Sequence, residues 1–78
     1  MPLYFFNLEG EAREEDETGT DFADVHAAQL EAIRFAGEVL RQEPHRLMHG
    51  PLRLEVCDSA RAVRFVLDIG ITAPGIAR

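Results

Sequence analysis

The opening stretch Leu3 to Glu9, "LYFFNLE", carries two interleaved apolar sets: Tyr4, Phe6 and Leu8 on one face, Leu3 and Phe5 on the other, with Asn7 the only polar break. Aromatic residues in alternation predict a strand, and apolar character on both faces suits one that is central in its sheet or covered from both sides. From Val25 the period changes. Val25, Ala28, Ala32, Ala36 and Val39 recur at spacings of three and four, with Ile33 and Leu40 widening the stripe, which predicts a helix to about Gln42. Asp24 offers an N-cap carboxylate and Pro44 forbids continuation. Ala28, Ala32 and Ala36 stack small side chains along one line, so the helix backbone can lie close on a sheet. Period two then returns in "PLRLEVCD" and "RAVRFVLDI", two strands joined by a tight turn at Asp58, Ser59 and Ala60. Leu52, Leu54 and Val56 share one face, as do Val63, Phe65, Leu67 and Ile69; Arg53, Glu55 and Cys57, and Arg64, Val66 and Asp68, point the other way.

Between the first strand and the helix lies "EGEAREEDETGTD", crowded with acids, where Gly10 permits a turn and a short polar strand near Ala12 to Asp16 can pair back. The order is β-β-α-β-β, an α+β fold with an antiparallel-rich sheet and one helix packed on one face. Residues 1–69 form a single small domain; residues 70–78 form a tail expected to fray or lie across a neighbour. This arrangement leaves the second sheet face uncovered. Leu3, Phe5 and Val66 would sit there among Arg53, Arg64 and Asp68, a mixed surface that a second subunit uses better than water does. A homodimer through this open face or a strand edge is expected, with Leu3, Phe5, Arg53, Arg64 and Val66 as candidate interface residues.

Composition sharpens the picture. A 78-residue chain has a thin core that a partner subunit would reinforce, while 46% apolar and 28% charged residues fit a folded domain rather than a disordered one. Fourteen acids against eight arginines, with no lysine, give a net charge of -6 and repulsion from nucleic-acid phosphates and anionic membranes, so neither is an expected partner. No apolar run approaches the roughly 18 residues needed to span a bilayer. A lone cysteine, Cys57, and a start that does not read as a secretory signal point to a cytoplasmic protein.

Candidate chemistry is sparse. His45 and His49 in "PHRLMHG" share a face if Pro44 starts a helical turn, but a zinc site would need Cys57 as a third ligand from a strand, and no C-x-x-C or H-E-x-x-H frame is present. The histidines read as part of a polar helix-to-strand connection, and no metal or cofactor is expected. A calcium loop begun at Asp16 fails at its sixth position, Asp21, and its twelfth, Ala27. The acidic run reads as a solvated loop. Ser59 lies in a turn and His26 in the first helical turn, and no nucleophile is paired with a base, so no enzyme is expected. Gly37 in mid-helix is costly against alanine and suggests room for a close neighbour. Arg53, Arg61 and Arg64 near Phe5 hint at an RNA-binding sheet face, but Glu55, Asp58 and Asp68 make cross-strand ion pairs the better reading.

As a whole the chain resembles a family of short bacterial domains of unknown function. The likeness lies in "MPLYFFNL", "DETGTDF", "DVHAAQLEAIRFAGEVL", "LRLEVCD" and "AVRFVL", covering about Met1 to Leu67. The resemblance implies a β-β-α-β-β domain and carries over no catalytic residues. The "PHRLMHG" connection and the long acidic run depart from it. The function expected is a non-enzymatic protein-interaction module acting as a homodimer. The alternatives are an antitoxin-like regulator whose acidic surface masks a basic partner, and a metal- or small-ligand-binding protein.

Overall fold

The Asp24 carboxylate accepts the Ala27 N–H at 2.9 Å and starts helix α1, Val25–Gln42; a 3-10 turn, Pro44–His49, follows it. In this computed structural model, which describes residues 1–74, five strands accompany the helix. They are β1, Leu3–Glu9; β2, Arg13–Glu14; β3, Thr20–Asp21; β4, Leu52–Asp58; and β5, Val63–Ile69. All pairings are antiparallel, in the order β2-β1-β4-β5, with β3 on the same edge of β1 as β2. The α+β architecture is the expected one. The element order is β-β-β-α-β-β, because the acidic segment returns to β1 twice rather than once.

The core lies between α1 and one sheet face. Tyr4, Leu8, Ala28, Ala32, Leu54 and Val56 are its buried members, and Phe6, Phe22, Val25, Val39, Phe65 and Leu67 pack against them. Ala28 and Ala32 are fully buried, as the spacing of small residues requires of a helix resting directly on strands. The helix sits over β4 and β5. On the β1 side rings flank the gap, with Phe6 stacked on Phe22 at 5.9 Å and Phe35 edge-on to Phe6 at 6.2 Å.

Two expectations about the core need correction. Ile33 does not widen the buried stripe: it is 57% exposed, because at 3.6 residues per turn it falls well to the side of the alanine line. Val63 does not join Phe65, Leu67 and Ile69 on the core face. A register shift at Val56/Cys57 places Val63 opposite Cys57, and it is 51% exposed. The β4–β5 turn forms as its residues suggest, with Asp58 Oδ1 accepting the Ala60 and Ala62 N–H groups. Residues 70–74 form no strand or helix, and the rest of the expected tail lies outside the described residues.

Candidate functional site

The second sheet face is less open than the sequence suggests. Asn7 lies there, 2% exposed, its Oδ1 accepting the Asp16 N–H at 3.0 Å and its Nδ2 donating to Cys57 Sγ at 3.7 Å. Leu3 and Phe5 are half-buried. Gly19 presses on both: a Cβ at that position would stand 2.9 Å from Phe5 Cε2, and its φ of +76° also favours glycine. Arg61 lies over the Phe5 ring, its Cζ 4.9 Å from the centroid. Of the candidate interface residues, Arg53 and Arg64 are exposed and Val66 is half-buried.

The acidic segment that produces this cover is built rather than merely solvated. Asp16 Oδ1 accepts the N–H groups of Thr18 and Gly19, and Oδ2 accepts that of Phe6 at 3.2 Å. The Phe6 N–H lies in the gap along β1 between the residues paired with β2 and those paired with β3. Burial alone would raise the Asp16 pKa, but the three backbone donors outweigh it and hold the carboxyl below its ordinary range. Next to it Arg13 bridges Glu15 at 2.8 Å and Glu55 at 3.1 Å, so Glu15 titrates lower than usual and Arg13 higher. Sequence reasoning counted these charges without seeing the motif; Asp16 followed three residues later by Gly19 was the usable signal.

The two edges of the sheet now contrast. The β1 edge is closed by β2, β3 and the Asp16 carboxylate. The β5 edge, seven residues from Val63 to Ile69, pairs with nothing among the described residues on its outer side. It carries neither proline nor lysine, the usual guards of an exposed edge. Beside it runs an apolar flank of α1. Ile33 is 57% exposed; with Leu40 it lies on the side of the helix away from Phe35 and β1. A Cβ at Gly37 would meet no residue beyond its own stretch of helix within 4 Å among the described residues, so the room it leaves is open.

The histidines lie elsewhere. His45 and His49 line a cleft of about 420 Å³ together with Gly10, Glu11, Glu14 and Arg46. Arg46 binds Glu14 and Glu43, and His49 Nδ1 stands 3.7 Å from Glu11, so the cleft clasps the β1–β2 turn to the 3-10 turn. Cys57 is buried beside Asn7 and does not join them; among the described residues no group of three or more His, Cys, Asp or Glu side chains is placed to hold a metal ion. Burial, and then Glu55, push the Cys57 thiol pKa up, the opposite of what a nucleophile needs.

Fold and surface together define a small α+β domain with one closed and one bare sheet edge among the described residues. The chain belongs to DUF6894, a domain of unknown function, whose family model matches residues 3–70. Comparison with curated proteins finds no match, and comparison with solved structures finds none either. No helix among the described residues is long and apolar enough to cross a membrane.

Proposed function

We propose that this domain is a non-enzymatic, cytoplasmic protein-interaction module that acts as a homodimer. The observation that carries the reading is the bare β5 edge, with exposed Ile33 on the flank of α1 away from β1. An unpaired strand is a template for another strand, and an exposed apolar strip next to it supplies the area that backbone hydrogen bonds alone do not. Gly37 supports the same reading: a helical glycine costs about 1 kcal/mol against alanine, and its open side admits the backbone of a neighbouring helix.

Sedimentation equilibrium tests the proposal. The chain should run at twice its monomer mass at micromolar concentrations. Ile33→Asp should weaken association by roughly tenfold or more, about 1.4 kcal/mol, while far-ultraviolet circular dichroism stays unchanged because the side chain is outside the core. A wild-type chain that stays monomeric into the high micromolar range rules the homodimer out.

A further inference from the structure

We infer that two copies of the chain join β5 to β5 in antiparallel register centred on Val66, with Arg64 of each copy facing Asp68 of the other. This rests on the homodimer reading above and specifies its geometry.

A ladder of charge crosses the sheet face opposite α1. Strand register places Arg13 beside Glu9, Glu9 beside Arg53, and Arg53 beside Asp68. Arg13 and Glu9 approach to 3.4 Å, and Arg53 and Asp68 to 3.9 Å. The sign alternates across four strands and stops at Asp68, on the bare edge. A second copy that continues the sheet must present a side chain next to Asp68. A cation there extends the alternation, whereas an anion or an apolar group breaks it.

Symmetry limits the choices. A closed pair of identical subunits uses the same patch twice, so β5 must pair with itself about a two-fold axis. If both helices stay on one face of the joined sheet, the axis is perpendicular to it and passes through a residue, since directly opposed residues share a face. Centring on Arg64 puts two arginines together on the axis, and centring on Asp68 puts two aspartates there. Centring on Phe65 faces Arg64 with Val66 and Asp68 with Ala62; centring on Leu67 faces Asp68 with Val66 and Arg64 with Gly70. Only Val66 on the axis satisfies both charges. It sets Arg64 opposite Asp68 twice and Phe65 opposite Leu67 twice; Val63 lies beyond the register shift and outside this regular pairing.

The same axis brings the two helices together. Both lie over β4 and β5, and Ile33 and Leu40 are on the flank of each helix away from Phe35 and β1. The ion pairs Arg64 and Asp68 make within one copy are long and exposed, so they hold neither side chain back from a cross-strand partner.

A charge-swap series read by sedimentation velocity tests the register. Arg64→Asp and Asp68→Arg each create two like-charge pairs in the homodimer, and each should weaken it by about ten- to a hundredfold. Mixing the two variants restores opposite charge at both contacts and should give a heterodimer near wild-type affinity. The double variant R64D/D68R should recover the homodimer, which also shows that the fold survives the changes. If the wild-type chain dimerises but the single variants dimerise equally well, or neither the mixture nor the double variant recovers, this register is wrong while the homodimer stands. If the wild-type chain is monomeric, both fail.

Discussion

Ala32→Leu should lower the unfolding free energy by about 3 kcal/mol, a large share of the roughly 5 to 15 kcal/mol available to a domain of ordinary stability. Ala32 has no exposed surface, and Leu54 and Val56 in the same cluster are also fully buried. A leucine there has no cavity to enter. It must push α1 off β4 and β5 or force neighbouring side chains from their rotamers, and Phe65 and Leu67 lose contact in either case. Urea unfolding with an unchanged slope and a lower midpoint is the expected signature. Glu38→Leu, on an exposed turn of the same helix, serves as the control and should leave the midpoint nearly unmoved. Equal midpoints for Ala32→Leu and wild type would mean that the helix does not rest on the sheet through its alanines.

Asp16→Ala should cost about 2 to 3 kcal/mol at neutral pH, because three backbone donors lose one charged acceptor and that of Phe6 is partly buried. The loss should be seen first on the β1 edge, as faster amide exchange at Phe6 and Gly19. Its pH dependence has a definite sign. A carboxyl whose folded pKa is depressed contributes stability in full above its unfolded pKa of about 3.9, and that contribution fades as pH falls through the folded value. The gap between wild type and Asp16→Ala should therefore be widest near neutral pH and narrow below about pH 4. Asp16→Asn keeps an oxygen for Thr18 and Gly19 but turns an amide donor toward the Phe6 N–H, so it should fall between the two. A gap that stays constant from neutral to acid pH would show that the carboxylate charge is not what holds the loop.

These two sites differ in how well the sequence displays them. The alanine line is plain in the chain because helical period, cap and terminator agree: Asp24 opens, Pro44 closes, and the small residues recur at three and four. The hairpin of β4 and β5 is as plain, since period two and an aspartate turn coincide. Asp16 was hidden among like charges. Composition read the segment as solvated, whereas its work depends on where one carboxylate meets the backbone of β1, and strands as short as Thr20–Asp21 carry no periodicity of their own. The exposed position of Ile33 was hidden for a different reason. A three-and-four spacing marks a helical face but not the width of the sheet beneath it, and here the helix sits near the sheet's edge. Leu3, Phe5 and Val66 were legible as apolar residues on the face away from the helix. The cover that Gly19 and Arg61 give Phe5 comes from loops whose path no pattern announces. The charge symmetry of β5 about Val66 stands in the sequence, and it acquires meaning only once β5 is known to be an outermost strand.

The most direct test of β5 self-pairing is cross-linking of a Val66→Cys variant carrying Cys57→Ala, so that the only thiol is on the proposed axis. Residues opposed across an antiparallel pair have Cα atoms about 4.5 to 5.5 Å apart, within disulfide range. The account predicts near-complete disulfide dimer under mild oxidation at micromolar concentration, much faster than for a Gln42→Cys control at the far end of α1 in the same Cys57→Ala background. Cross-linking at Val66 no faster than at the control position would contradict it.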